Sequence, residues 1–286
     1  SVILAGGPVV GCISPYFAVF PDKDVLGQAT DRLPAAQTLA SHPSGRPWLV
    51  GALPADQLLL VEAGERRLAV IGHCSAEPER LRAELAQIDD VAQFDRIART
   101  LDGSFHLVVV VGDQMRIQGS VSGLRRVFHA HVGTARIAAD RSDVLAAVLG
   151  VSPDPDVLAL RMFNGLPYPL SELPPWPGVE HVPAWHYLSL GLHDGRHRVV
   201  QWWHPPEAEL DVTAAAPLLR TALAGAVDTR TRGGGVVSAD LSGGLDSTPL
   251  CALAARGPAK VVALTFSSGL DTDDDLRWAK IAHQSF

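Results

Sequence analysis

The stretch Val236 to Leu253 limits what this chain can fold into more than any other. An apolar run, Val236-Val237-Ser238-Ala239-Asp240-Leu241, breaks into Ser242-Gly243-Gly244-Leu245-Asp246-Ser247, and apolar residues resume at helical spacing through Leu250, Cys251 and Leu253. This pattern predicts a strand, a tight loop and a helix N-terminus. Gly243 and Gly244 have no Cβ, so the backbone there can take positive φ and bring its N–H groups close to an anion. The helix starting near Asp246 adds unpaired N–H groups and the positive end of its dipole. Ser242 and Ser247 add hydroxyl donors. Asp246 repels phosphate unless a cation lies between them, which implies Mg²⁺ at Asp246. A Gly-Gly turn flanked by serines also serves as a plain helix cap, so spacing alone leaves both readings open. The stretch lacks the lysine of a Walker loop, and the usual kinase and GTPase readings fit poorly.

At 286 residues the chain has room for one large or two ordinary domains. Its apolar fraction of 47% and charged fraction of 19% describe a globular chain, and a net charge of −7 argues against nucleic-acid binding through a broad basic surface. Cys12, Cys74 and Cys251 are too few and too irregularly spaced for a disulfide framework or zinc site, which points to a reducing cytoplasm. Ser1 to Pro21 carries no charge, but it lacks a basic leading region and is interrupted by Gly6, Gly7, Pro8, Gly11 and Pro15. Buried strands and turns explain it better than a signal peptide or membrane span.

The first two hundred residues alternate short strands with a few helices. Strands are expected over 58–62, 67–72, 105–111, 115–118, 126–130 and 135–138, and helices over 78–88, 93–101 and 141–149, the last capped by Asp140 or Ser142. Two sheets covered by those helices make a sensible architecture. After the acidic run Glu207 to Asp211, composition shifts to a helix over 212–229, the loop unit, and a second apolar strand over 260–266. A boundary near 208 gives domains 1–207 and 208–286, the second a parallel α/β sheet with ligand at its strand C-terminal ends. Asp271, Asp273, Asp274 and Asp275 read as charges before a helix N-terminus rather than metal ligands. The histidines show no ligand spacing. Trp202 and Trp203, on adjacent strand positions, face opposite sides, so at least one is expected to pack between domains.

Ser242 to Ser247 resembles the pyrophosphate-binding loop of the ATP pyrophosphatases, which release pyrophosphate from ATP while adenylating a carboxylate. Leu101-Asp102-Gly103-Ser104-Phe105-His106, Gly119 to Leu124, Ala138-Ala139-Asp140 with Val144-Leu145, and Pro177 to Pro183 with His186-Tyr187-Leu188 and Trp202-Trp203 resemble the glutaminase half of asparagine synthetases. The resemblance implies an N-terminal Ntn-type αββα sandwich followed by a parallel synthetase domain of the adenine-nucleotide α-hydrolase type, incomplete at Phe286. It implies ATP held by Leu241, Ser242, Gly243, Gly244, Leu245, Asp246, Ser247 and Ser268, with Leu241 beside the purine or simply in the core. An active glutaminase needs a cysteine as its first residue; this chain begins with Ser1, and Cys12 is internal, so no glutaminase activity is expected.

Relatives lacking that cysteine, the β-lactam synthetases and lasso-peptide cyclases, take the attacking amine from the molecule that carries the carboxylate. Ser122 to Ala130 and Ser238 to Gly244 look most like the lasso-peptide cyclases. The resemblance then implies adenylation of an Asp or Glu side chain in a linear core peptide and ring closure by the peptide's own N-terminal amine. Partners expected on that basis are the core peptide, a leader peptidase, a leader-recognition protein and the remaining half of the synthetase domain. The alternatives are an ammonia-using asparagine synthetase or a β-lactam synthetase-like amide-forming ligase and, in another class, a noncatalytic peptide- or partner-binding scaffold.

Overall fold

The computed structural model of the chain describes residues 14–24, 27–163, 165–266 and 274–285. Ser1, Cys12, Ser268, Asp271 and Asp273 lie outside the described residues.

In chain order the elements are β1 (Tyr16–Val19), α1 (Gly27–Thr30), β2 (Gln37–Ser41), β3 (Pro47–Ala52), β4 (Leu58–Ala63), β5 (Arg66–Cys74), α2 (Pro78–Leu85), α3 (Phe94–Ala98), β6 (Gly103–Val111), β7 (Gln114–Gln118), β8 (Val127–Val132), β9 (Ala135–Ala139), α4 (Ser142–Leu149) and α5 (Pro155–Arg161). They continue with β10 (Val179–Val182), β11 (His186–Gly191), β12 (His197–Gln201), α6 (Val212–Thr231), β13 (Val236–Asp240), α7 (Ser247–Ala255), β14 (Lys260–Leu264) and α8 (Asp275–His283). The chain forms two compact units: one of 1–72, 78–99 and 105–204, the other of 73–77, 100–104 and 205–286. Residues 73–77 and 100–104 group with the second unit although they precede the boundary expected near 208.

The first unit holds two six-stranded sheets, ordered β10-β8-β9-β1-β3-β2 and β12-β11-β7-β6-β5-β4. Hairpin ladders are antiparallel, as where Val108 faces Ile117 across β6 and β7. Tyr16–Val19 is wholly apolar because both faces of β1 are buried. Tyr16 and Ala18 point into a core with Leu145 and Val148 of α4, while Phe17 and Val19 point into a second core with Ala69, Val108 and Ile117 of the other sheet. Period-two alternation on a central strand thus gives an unbroken apolar run. The second sheet's far side meets the turn before α3, where fully buried Arg116 donates to the Val91 carbonyl at 3.1 Å, pairs with Asp95 at 2.5 Å and lies 4.0 Å from the Tyr187 ring centroid.

Three expectations are corrected here. The helix over 93–101 shrinks to Phe94–Ala98 behind a 3₁₀ turn, because the Asp90 carboxylate caps that turn by accepting from Ala92 N–H at 2.7 Å. Asp140 does not cap α4. Arg141 occupies the cap position without a side-chain bond, and the Asp140 carboxylate accepts from Phe17 N–H at 2.9 Å, tying β9 to β1. Trp202 and Trp203 follow β12 rather than lying in it. Trp202 is buried against Arg116 inside the first unit and Trp203 meets Trp185 at a tilt, with ring centroids 5.1 Å apart.

In the second unit β13 and β14 pair in parallel, Val236 opposite Lys260. Asp211 caps α6 by accepting from Ala214 N–H at 2.8 Å. Among the described residues, no helix is long and apolar enough to cross a membrane, no group of three or more His, Cys, Asp or Glu is placed to hold a metal ion, and Cys74 and Cys251 are in no disulfide.

Candidate functional site

The loop between β13 and α7 has the strand–loop–helix form its sequence predicts. Gly243 stands at φ +82°, a conformation that favours glycine. A Cβ there would lie 2.2 Å from the Cβ of Trp278 and 2.5 Å from its carbonyl carbon, so α8 packs directly on the loop backbone. Ser242 Oγ and Ser247 Oγ are 3.0 Å apart. Ser242 N–H donates to Ser247 Oγ at 3.3 Å and Gly244 N–H donates to Ser242 Oγ at 3.2 Å. The two serines were expected mainly as donors to an anion; they also lock the loop's shape. Only one hydroxyl proton is spent between the two oxygens, so the other remains for a ligand.

The loop rests on a small core of Leu241, Cys251 and Ala279. Leu241 is 3% exposed, so its side chain belongs to that core, and burial pushes the Cys251 thiol up, which keeps it unreactive. The Leu241 backbone is fixed twice. Its N–H donates to the Leu264 carbonyl at 2.8 Å, and its carbonyl accepts from the Thr265 hydroxyl at 2.7 Å. Thr265 escaped the sequence reading, where it looks like one more residue of a β-branched strand. Parallel pairing of β13 and β14 is what carries it to the loop.

Gly244, Leu245 and Asp246 are exposed. Asp246 sits at the cap position of α7 but makes no cap hydrogen bond, which leaves its carboxylate available to a cation. Thr248 Oγ1 is buried in the first turn of α7 with no partner among the described residues. The uncommitted Asp246 carboxylate and the orphaned Thr248 hydroxyl at the entry of α7 fit a magnesium-bound polyphosphate. Asp274, expected as a helix-entry charge, accepts from the Trp278 indole N–H at 2.7 Å and does not cap α8.

These features define a strand, a glycine loop and a helix N-terminus in a parallel α/β unit. Residues 218–286, which contain the whole loop, match the asparagine synthase family, and that match supports an ATP-dependent amide-forming ligase family for this segment. No curated protein matches the chain significantly. Among solved structures, the chain is similar to glutamine phosphoribosylpyrophosphate (PRPP) amidotransferase from B. subtilis complexed with ADP and GMP, at 12% identity and TM-score 0.40, covering 87% of this chain and 65% of that one. A structure described as the allosteric regulatory enzyme of purine biosynthesis is similar at 9% identity and TM-score 0.37, covering 91% and 67%. The chain thus spans about two thirds of the length of either protein.

Proposed function

We propose that the second unit binds ATP at Ser242 to Ser247 and activates a carboxylate on a linear peptide, which the peptide's own N-terminal amine then attacks to close a macrolactam. The observation that carries the ATP reading is the loop itself: Gly243 at φ +82° against α8, with the Asp246 carboxylate uncommitted. The asparagine synthase match over 218–286 supports amide formation. The likeness of Ser122 to Ala130 and Ser238 to Gly244 to lasso-peptide cyclases supports a cyclised product.

In the first step a side-chain carboxylate oxygen of a peptide Asp or Glu attacks the α-phosphorus of ATP, the bond from that phosphorus to the bridging oxygen breaks, and pyrophosphate leaves. Loop N–H groups and the free hydroxyl proton of the Ser242/Ser247 pair receive the charge that develops on the leaving oxygens. Asp246 would hold Mg²⁺, which would supply charge neutralisation when bound. In the second step the amine nitrogen attacks the acyl carbon, AMP leaves with the bonding electrons, and the amine gives up a proton. Because amine and carboxylate belong to one peptide, holding it folded replaces a bimolecular encounter, a contribution of about 7 to 11 kcal/mol in well-oriented cases.

The N-terminal unit serves in this reading as an Ntn-type scaffold. Val236, Val262, Leu264 and Phe266 are exposed on or next to the two-stranded parallel sheet, at 69%, 41%, 51% and 84%. Parallel sheets are normally covered on both faces, so we assign this surface to contact with the rest of a synthetase domain. A leader peptidase and a leader-recognition protein complete the proposed partners, and the setting is cytoplasmic. ATP–pyrophosphate exchange is the test. It should require both the linear peptide and Asp246, and exchange that persists in Asp246→Ala would sink the reading.

A further inference from the structure

The block Ser122 to Ala130 has no part in the phosphate loop, yet it builds one wall of a second cavity, within the first unit. The turn at 120–126 is closed by Ser120 N–H donating to the Arg125 carbonyl at 3.0 Å and Arg125 N–H donating to Ser120 Oγ at 2.9 Å. Between this turn and the start of α4 lies an open hollow of about 300 Å³, within the range of small-ligand sites, lined among others by His106, Arg125, Arg126, Asp140, Arg141 and Ser142.

Two opposite kinds of group meet there. Donors come from the Arg125 and exposed Arg126 guanidinium groups and from the first turn of α4, which no side chain caps. Acceptors come from Asp140 and His106. His106 is 3% exposed, and its Nε2–H donates to the Arg126 carbonyl at 2.9 Å. The ring is held neutral by burial, so the lone pair falls on Nδ1, which is buried and has no partner among the described residues. Arg141 is committed to Asp143 at 2.5 and 3.1 Å and to the Ser14 carbonyl, which takes the Asp143 charge out of play. A simple anion would pair with Arg126 but leave the His106 lone pair unanswered; a simple cation would do the reverse.

We propose that this cavity binds an α-carboxylate together with the N–H of the same residue, the chemistry shared by a peptide C-terminus and a free amino acid. The carboxylate lies toward Arg126 and the start of α4, and the N–H toward Asp140 and His106. This inference is independent of the nucleotide reading.

The test titrates N-acetyl-dialanine, its C-terminal amide and free alanine into the whole chain, with binding followed by ligand-observed NMR. The acid should bind about tenfold or more tightly than its amide, with the same loss for the acid in Arg126→Glu, an exposed position whose fold is checked by circular dichroism. Asp246→Ala should leave this binding unchanged, which separates it from the ATP site. Tighter binding of N-acetyl-dialanine than of alanine identifies a peptide terminus as the source; the opposite order identifies a free amino acid. Equal binding of acid and amide, no binding of any of the three, or indifference to Arg126→Glu overturns the inference.

Discussion

Gly243 is constrained twice, by its left-handed backbone and by the contact with α8. Any side chain there must both strain φ and push Trp278 away. Gly243→Ala is therefore expected to destabilise the second unit by about 2 kcal/mol or more, read as a lower urea midpoint, and to abolish ATP binding measured calorimetrically. Thr265→Val keeps the shape of the strand but orphans the Leu241 carbonyl, and about 1 kcal/mol of stability should be lost, with a raised KM for ATP.

In the first unit buried imidazoles and a buried carboxyl act in opposite directions on the acid response. His106 and His129 each titrate at about 4 because burial disfavours their charged forms, against 6.5 when exposed. The unfolded chain takes up those protons first as pH falls from 6.5, so the stability of the neutral imidazoles is present above 6.5 and is lost toward 4. Asp140, raised by burial to about 6 from 3.8, works the other way: its contribution is present at acid pH and lost as pH rises through 6. Two imidazoles outweigh one carboxyl. The urea midpoint should be higher at pH 7 than at pH 5, and His129→Gln should shrink that difference; a midpoint higher at pH 5 would contradict this balance.

At the scale of elements, what could be read from the sequence follows from where the determining contacts lie. The β13–loop–α7 unit is local: its apolar run, its glycines and its helix entry are contiguous, and all three appear as expected. β1 is not local. Tyr16 to Val19 is a strand because Ala52 to Leu49 of β3 and Ala138 and Ala139 of β9 flank it, partners distant in sequence. The same holds for Asp140. Its sequence position suits a cap, but the long-range bond to Phe17 N–H claims its carboxylate. Even Leu241, legible as apolar, had its side chain settled between core and ligand only by the packing of Cys251 and Ala279 around it. Asp211, by contrast, is a local cap, and Asp211→Ala should cost about 1 kcal/mol, seen as fraying of α6 in hydrogen exchange.

For the whole molecule, the two units differ in how far their strands are covered. The first buries both faces of its central strands. The second leaves Val236, Val262 and Leu264 exposed on a parallel pair. Lysine at Val262 should therefore change the stability of this chain by no more than about 0.5 kcal/mol, yet it should block assembly with the rest of a synthetase domain, detected as a lost complex on size-exclusion chromatography.

The central claim is that the loop opened by Ser242 serves to activate a carboxylate for amide formation within one peptide. Its most direct measurement is mass spectrometry of a linear peptide carrying a free N-terminal amine and an Asp or Glu, incubated with ATP, Mg²⁺ and the assembled protein, with pyrophosphate release followed in parallel. The account predicts a product lighter by one water, pyrophosphate released only when the peptide is present, and loss of both by about 100-fold or more in Asp246→Ala. Pyrophosphate release that ignores the peptide, or a dehydrated product formed equally well without Asp246, would contradict it.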